Sequence, residues 1–171
     1  LAEARNKNTP GQFIRADIGD RIDLPPESFE AVIANMVLMD VPDLPAAYHN
    51  AYKFLKPGGL MIVTILHPVL GSPSGYWFKT LREKILRRDP FIRINKYGRE
   101  FSDQTVIASL TKPTLIYHRP LSKYIQSALD LGLVLKDISE PLLEETDLIK
   151  FHRPKFLAKA PVILALTFRK V

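Results

Sequence analysis

The sequence predicts an α/β protein with a doubly wound, mostly parallel sheet, and three observations support this fold class. Two apolar runs without alternation, Phe29 to Ala34 and Leu60 to Leu66, are typical of strands that are buried on both faces. Between them, a helix that Asp43 can cap runs to about Leu55, with apolar residues at three- and four-residue spacings. A strand, a helix and a second buried strand in this order form a right-handed parallel crossover unit.

The segments before this unit predict the end of a helix and a short strand. Leu1 to Asn8 has the character of a helix tail, and Thr9-Pro10-Gly11 breaks it. Gln12 to Ala16 is predicted as a strand that ends at Asp17. Because Leu1 follows no initiator methionine, we expect further chain upstream.

The segments after the unit begin with an irregular stretch, 68 to 120, which we interpret as an insertion or lid. Ser122 is predicted to cap a helix that Gly132 ends in the left-handed conformation. Its expected buried face consists of Tyr124, Ile125, Ala128, Leu129 and Leu131. A strand is predicted at Leu133 to Ser139, followed by a partly helical connection and a final strand from Pro161 to Arg169.

Composition indicates one globular domain over residues 1–171. The hydrophobic content of 46% and the charged content of 25% are ordinary for a globular protein. No apolar run reaches the roughly 20 residues that span a bilayer, so we expect no membrane partner. The chain has no cysteine, which excludes disulfides and thiolate chemistry, and its four histidines show no metal-ligand spacing. A cytoplasmic location is the default expectation.

The net charge of +6 is concentrated in the insertion. Eight basic residues lie close together there, against two acidic ones: Lys79, Arg82, Lys84, Arg87, Arg88, Arg93, Lys96 and Arg99. The cluster has two interpretations, a solvated face or a surface that binds an anionic partner.

A series of short motifs resembles the class I S-adenosylmethionine-dependent methyltransferases, of the methyltransferase type 11/12 kind. The series is Asp17-Ile18, Leu24-Pro25, Glu27-Ser28-Phe29, Asn35-Met36-Val37 and Leu55-Lys56-Pro57-Gly58-Gly59. In that family an acidic residue follows the third strand, Ser-Phe-Asp precedes the fourth, and Lys-Pro-Gly-Gly precedes the fifth. The resemblance implies a Rossmann-like fold with an antiparallel last strand.

One part of the family pattern is absent. No Gly-x-Gly motif occurs in these residues, although the family places a glycine-rich cofactor loop after its first strand. We therefore expect that loop upstream of Leu1, in a longer natural protein.

The resemblance also implies a cofactor site for S-adenosyl-L-methionine at the carboxyl ends of the strands. Asp17 would accept a hydrogen bond from the adenine amino group and Ile18 would pack on the ring, with a loop cap and a core residue as alternatives. Asn35, Met36 and Val37 would border the methionine part. Met39 and Asp40 stand where relatives often carry two histidines, so Asp40 either contacts the cofactor or starts the next helix.

Candidate residues for the acceptor side lie at His67, His118 and the insertion. Either histidine could remove a proton from the acceptor, and either could be structural instead. Arg119 could bind an acceptor carboxylate or phosphate, or anchor its helix to the sheet. Tyr76 and Trp77 could form a wall over the acceptor, or belong to a small core of the insertion.

The expected function is methyl transfer to oxygen, nitrogen or carbon of a small molecule. A nucleic-acid methyltransferase is the first alternative, supported by the basic insertion, although Asn35-Met36-Val37-Leu38 lacks the Asn-Pro-Pro-aromatic motif of adenine-amino methyltransferases. A noncatalytic domain of the same fold is the second alternative, and an NAD-dependent oxidoreductase the weakest.

Overall fold

The computed structural model describes residues 11–70, 75–86, 88–105, 113–150 and 152–171, with the side chains of residues 75 and 76 left out. The described residues form eight strands: β1 (Phe29–Asn35), β2 (Leu55–Leu66), β3 (Gly75–Phe78), β4 (Phe91–Ile94), β5 (Phe101–Thr105), β6 (Thr114–His118), β7 (Leu133–Ser139) and β8 (Ile163–Lys170). Four α-helices accompany them: α1 (Leu44–Phe54), α2 (Leu81–Ile85), α3 (Leu121–Leu129) and α4 (Glu145–Lys150). Two 3-10 turns lie at Leu38–Asp40 and Lys155–Lys159.

The central sheet has the strand order β1-β2-β8-β7. β1 pairs with β2 in parallel, and β8 pairs antiparallel with both β2 and β7. Three of the four strands therefore run in one direction and the last strand of the chain runs against them. This arrangement confirms the predicted α/β Rossmann-like fold and its antiparallel last strand.

The β1-α1-β2 unit is the crossover that the sequence predicts. Asp43 caps α1, since its Oδ1 accepts a hydrogen bond from the Ala46 N–H at 3.0 Å. The buried side of α1 is formed by Leu44, Ala47, Tyr48, Asn50, Ala51 and Phe54. Full burial of a large apolar side chain stabilises the fold by about 1.5–3 kcal/mol, so this face fixes the helix on the sheet.

The Lys-Pro-Gly-Gly motif forms a bulge inside β2. Leu55 pairs with Phe29 but Leu60 pairs with Ala31, so four residues stand opposite one and three extra residues protrude from the ladder. A Cβ on Gly59 would lie 2.9 Å from the Lys56 oxygen and 3.0 Å from the Glu30 oxygen, so a side chain has no room there. At Gly58 there is room, but its φ of +80° is a conformation that favours glycine.

Three predictions about secondary structure are wrong. Gln12 to Ala16 forms no strand, because no described segment pairs with it. Ser122 does not cap α3, because the helix begins at Leu121 with Pro120 as its N-cap, so Ser122 lies inside it. Leu129 is exposed, and Ser127 is buried in the helix face instead. Gly132 does adopt φ +82°, as predicted. The predicted helix tail at Leu1 to Asn8 lies outside the described residues.

The insertion contains regular structure that the sequence did not reveal. β3 pairs antiparallel with β4, and β5 with β6, giving two separate two-stranded sheets. α2 lies between β3 and β4. No helix in the described part of the chain is long and apolar enough to cross a membrane.

Candidate functional site

The carboxyl end of β1 is a tight turn held by β2. The Met36 N–H donates to the Thr64 carbonyl oxygen at 2.8 Å and approaches Thr64 Oγ1 at 3.2 Å. Thr64 Oγ1 in turn donates to Asn35 Oδ1 at 2.5 Å. Met36 has φ +52°, a left-handed conformation that costs a residue with a side chain about 1–3 kcal/mol. Thr64, which the sequence analysis did not single out, therefore holds a strained turn at the sheet edge where this fold class binds ligands.

The residues after this turn form the short 3-10 turn. The Asp40 N–H donates to the Val37 oxygen at 2.9 Å, and Leu38 and Met39 are buried. Asp40 does not start the next helix, because α1 begins at Leu44 behind its cap Asp43. Desolvation raises the pKa of the Asp40 carboxyl above its usual range.

Asp17 and Ile18 belong to a loop fastened to α1. Asp17 Oδ1 accepts a hydrogen bond from the Gly19 N–H at 2.8 Å, as expected of a loop cap. Asn50 Nδ2 donates to the carbonyl oxygens of Ile18 and Asp20, both at 2.7 Å. Asn50 is buried on the core-facing side of α1. A polar residue at a helical core spacing was the signal for this anchor, and the sequence analysis missed it.

Both ring nitrogens of His67 have partners. Nε2 lies 2.7 Å from Glu140 Oε1, and Nδ1 accepts from the N–H groups of Val69 at 3.2 Å and Leu70 at 3.3 Å. Because Nδ1 accepts, Nε2 carries the proton and donates to Glu140. The buried His67 thus joins the carboxyl end of β2 to the end of β7.

His118 is also buried, and among the described residues only one of its ring nitrogens has a hydrogen-bond partner. Its Nε2 lies 2.9 Å from the carbonyl oxygen of Tyr97, which can only accept, so Nε2 is the donor. Its ring lies against Phe101, with centroids 4.9 Å apart. The Tyr97 hydroxyl accepts from the Leu121 N–H at 3.1 Å, which ties the same loop to the start of α3.

Arg119 is buried and fastens β6 to the segment after the 3-10 turn. Its guanidinium donates to three carbonyl oxygens, those of Leu38 at 3.3 Å, Val41 at 2.7 Å and Pro42 at 2.7 Å. Its Nε faces Glu100 at 4.0 Å. This geometry supports the anchoring interpretation over direct acceptor binding.

Two aromatic residues of the insertion pack against aromatic rings in different parts of the chain. The Trp77 ring packs on Phe156, with centroids 4.8 Å apart, and Phe78 packs edge-on against Phe91 at 5.5 Å. The contact between Phe78 and Phe91 supports a small core of the insertion, whereas Trp77 fastens the insertion to the Lys155–Lys159 turn. The side chain of Tyr76 lies outside the described residues.

One cavity collects residues from both sides of the predicted site. It is lined by Met39, Leu66, Pro68, Ile116, Tyr117, His118, Arg119 and Tyr124. A shallow cleft shares His118 and Arg119 and adds Pro42, Glu100, Phe101 and Ser102. His67 lies between the lining residues Leu66 and Pro68 without lining the cavity itself, and neither Asp17 nor Asn35 lines it. The described residues include no group of His, Asp and Glu able to hold a metal ion.

Comparisons with known proteins agree with this architecture. Residues 1–63 match the family described as a methyltransferase domain. An S-adenosylmethionine-dependent methyltransferase from Mesorhizobium loti superposes with a TM-score of 0.78 at 21% identity, covering 98% of this chain and 74% of that one. A putative S-adenosylmethionine-dependent methyltransferase from Listeria monocytogenes gives 0.80 at 20% identity, covering 99% and 74%.

A more distant match has a ligand. The 1,6-didemethyltoxoflavin-N1-methyltransferase of Burkholderia thailandensis, solved with 1,6-didemethyltoxoflavin and S-adenosylhomocysteine, has a TM-score of 0.52 at 12% identity over 99% of this chain and 55% of that one. No curated protein matches the sequence. The sequence match and the shared fold confirm the resemblance inferred from the motifs.

Proposed function

We propose that this chain, which has the class I S-adenosylmethionine-dependent methyltransferase fold, binds S-adenosyl-L-methionine and transfers its methyl group to a small-molecule acceptor. The observation that carries the proposal is the left-handed turn at Met36, held by Thr64 at the carboxyl end of β1. Strain that a protein maintains with dedicated hydrogen bonds at a ligand-binding edge is a mark of function.

The residues at this edge fit the proposed cofactor. Asp17 uses one carboxylate oxygen on Gly19, which leaves the other for an adenine amino group, and Ile18 is half-buried beside it. Asn35, Met36 and Val37 would lie along the methionine part, with Asp40 beyond them. When bound, S-adenosyl-L-methionine supplies an electrophilic methyl group that needs little activation.

The acceptor half of the proposal uses the cleft beside His118. The cavity next to it has an accessible volume of about 10 Å³, which is room for one water, so the acceptor would occupy the cleft, whose volume is about 240 Å³. Because the Tyr97 oxygen holds the proton on Nε2, Nδ1 is the nitrogen that could accept a proton from an acceptor hydroxyl or ammonium. His67 would support this wall structurally, since Glu140 and two backbone N–H groups use both of its nitrogens. Arg119 would shape both the cavity and the cleft.

The supporting comparison for a small acceptor is the Burkholderia enzyme, whose bound 1,6-didemethyltoxoflavin is a small molecule. A nucleic-acid acceptor is the second candidate, favoured by the exposed basic residues of the insertion. A small-molecule acceptor and a nucleic-acid acceptor differ in how strongly their binding depends on salt. Binding of a polyanion to the insertion falls steeply with salt, whereas binding of a small acceptor in a cavity depends on salt weakly.

The cofactor proposal is tested by isothermal titration of S-adenosyl-L-methionine and S-adenosylhomocysteine. Both are titrated into the chain and into a version extended before Leu1 by a strand and a glycine-rich loop of the family pattern, because no Gly-x-Gly motif is among these residues. Asp17→Ala should weaken binding by about 1–3 kcal/mol through loss of a charge-assisted hydrogen bond.

Asp17→Asn is the matched control for that substitution. It keeps an oxygen for the Gly19 N–H and removes only the charge and one acceptor, so its loop should stay intact. Absence of binding to both the chain and the extended version would overturn the methyltransferase proposal and favour a noncatalytic domain. Full binding by Asp17→Ala would remove Asp17 alone from the site.

A further inference from the structure

Helix α2 presents its apolar side chains outward. Leu81 is 74% exposed and Ile85, one turn later, is 71% exposed, while no residue of the helix is buried. An amphipathic helix on a globular domain normally turns its apolar side to the core. α2 departs from this rule, since Leu81 and Ile85 are exposed and Glu83, on the opposite side of the helix, is only half-buried.

The Glu83 side chain helps to cap the N-terminus of its own helix. Its carboxylate accepts hydrogen bonds from the Thr80 N–H and hydroxyl, both at 2.8 Å, and the Thr80 hydroxyl accepts from the Glu83 N–H at 3.3 Å. This capping box fixes the rotation of the helix about its axis. The outward direction of Leu81 and Ile85 is therefore built into the sequence.

The exposed apolar pair is flanked by cations on both sides. On a helix with 3.6 residues per turn, Arg82 lies to one side of Leu81 and Ile85, and Lys84 lies to the other. Arg88 follows the helix, and all three basic side chains are exposed. Among the described residues none of the three forms an ion pair within 4.0 Å.

The acidic residues near α2 offset this charge only in part. Glu83 is hydrogen-bonded to Thr80 and also attracts Arg88, and Asp89 is paired with Lys159. The surface thus combines exposed apolar side chains with an excess of cations. We call the surface formed by Leu81, Arg82, Lys84, Ile85 and Arg88 the α2 face.

We propose that the α2 face docks onto an anionic lipid surface, with Leu81 and Ile85 entering the headgroup region and the three cations contacting lipid phosphates and carboxylates. This is the pattern of an interfacial helix, in which apolar insertion and electrostatic attraction act together. Exposed apolar side chains flanked by exposed cations are complementary to an anionic lipid layer, which the apolar groups can enter while the cations stay at the phosphates. The bilayer is contacted at its surface, so the absence of a spanning segment does not bear on it.

The proposal assigns the insertion a second role, in addition to its part in forming the wall beside His118. The chain that leaves α2 forms β4 and then reaches Tyr97, whose carbonyl oxygen is hydrogen-bonded to His118. The docking surface and the cavity wall are thus parts of one insertion. The docking proposal does not depend on methyl transfer and is tested without it.

The first experiment is flotation of the chain with vesicles of phosphatidylcholine containing about 30% phosphatidylserine, and with pure phosphatidylcholine vesicles. We expect binding to the anionic vesicles and little to the neutral ones. Replacing Arg82, Lys84 and Arg88 with Gln should lower the partition coefficient by about five-fold for each cation removed. The matched control replaces three exposed cations elsewhere with Gln, namely Arg15, Lys136 and Arg169, and should bind far more strongly than the α2 variant.

The second experiment separates insertion from simple charge attraction. The double variant Leu81→Ser with Ile85→Ser should bind anionic vesicles at least ten-fold more weakly. Its control, Leu142→Ser with Ile149→Ser, changes the same two residue types at positions 56% and 69% exposed and should bind normally. All four positions are exposed, so neither variant threatens the core.

A spectroscopic measurement reports the depth of Leu81 directly. Since the chain has no cysteine, a polarity-sensitive dye can be attached at Leu81→Cys alone, with Leu142→Cys as the control position. Anionic vesicles should shift the emission of the dye to the blue at position 81 and leave position 142 unchanged.

Three results would overturn the proposal. They are equal binding to neutral and anionic vesicles, equal loss in the α2 and control variants, and bound protein whose dye at position 81 stays in water. Sedimentation velocity adds a fourth: a dimer that Leu81→Ser with Ile85→Ser dissociates would show that a second copy of the chain covers the α2 face.

Discussion

At the scale of single residues, Thr64 contributes both to the stability of the sheet and to the proposed cofactor site. Its hydroxyl joins β2 to both Asn35 and Met36, so one side chain supports the left-handed turn. Thr64→Val keeps the volume and removes these bonds. We expect the free energy of unfolding to fall by about 1 kcal/mol, and S-adenosyl-L-methionine to bind about 3- to 10-fold more weakly, as for one lost net hydrogen bond.

The control is Thr64→Ser, which retains the hydroxyl and should restore cofactor affinity. Urea denaturation gives the stability and isothermal titration gives the affinity. If Val and Ser variants bind the cofactor alike while differing in stability, Thr64 is structural only and the turn it supports is not part of the cofactor site.

Lys170 is a buried cation at the last strand of the sheet, and its role is structural. Its Nζ donates to the carbonyl oxygens of Leu55 at 2.9 Å and Tyr52 at 3.2 Å, and to Glu27 at 3.1 Å. Lys170→Met should lower the free energy of unfolding by about 1–3 kcal/mol, because buried acceptors at the end of α1 lose their donor. Arg169→Met, next to it but exposed, should change stability by less than about 0.5 kcal/mol in the same urea titration. A loss at Arg169 as large as at Lys170 would contradict this account.

Which residues occupy the sheet edge could be predicted from sequence, but what each one does there could not. Asn35 and Met36 follow a buried strand, so their location was predictable from apolar pattern and motif order. The partners of Asn50, Thr64 and His67 were not, because they are set by contacts between residues far apart in the chain. Asn50, for example, bonds to Ile18 across 32 positions.

At the scale of elements, the capping box of α2 makes this short helix sensitive to acid. Hydrogen bonds from the Thr80 backbone and hydroxyl hold the pKa of Glu83 below its usual value of 4.5. A lowered pKa in the folded state means that this contribution to stability is present above 4.5 and is lost as the pH falls through the folded value. The side-chain carboxyl signal of Glu83, followed by NMR, should therefore titrate below the usual range.

Thr80→Ala removes the hydroxyl but keeps the backbone N–H, which is the larger cause of the lowered pKa, so it should return the titration only part of the way to the usual value, and Thr80→Ser should preserve the shift. An unchanged midpoint in Thr80→Ala would show that the hydroxyl does not contribute to the lowered pKa. The same variant is expected to fray α2, because a helix of five residues depends on its cap.

The elements whose bounds the sequence predicted best are β1, α1 and β7, whereas β2 begins at Leu55, five residues before the predicted Leu60. The prediction that β1 is buried on both faces is wrong for the described structure, because Ala34 is its one buried residue and Ile33 is 65% exposed. The hairpins of the insertion were missed because their strands are four or five residues long and largely exposed, which gives no clear alternation. Gln12 to Ala16 is a strand that was predicted but is not observed, because a strand-like sequence forms no ladder without a partner.

At the scale of the whole molecule, β8 is the strand that unites the sheet. It lies between β2 and β7, and Leu164, Leu166 and Phe168 are fully buried along it. The β3-β4 pair forms a separate sheet, in which Trp77 and Phe78 of β3 are half-buried and three residues of β4 are exposed, Phe91, Arg93 and Ile94. We therefore expect two levels of stability in one chain: global unfolding for the sheet amides and local opening for the hairpin amides.

Leu164→Ala tests this division, since it removes core volume without touching the insertion. The substitution should lower the free energy of unfolding by about 2–5 kcal/mol. In hydrogen exchange followed by mass spectrometry, peptides from β2, β8 and α1 should then exchange faster by the same free energy. Peptides from β3 and β4 should exchange as before, because their opening does not pass through the global transition. If the hairpin peptides lose protection in parallel with the sheet, the insertion and the sheet unfold as one unit, and the α2 face would be rigidly coupled to the core.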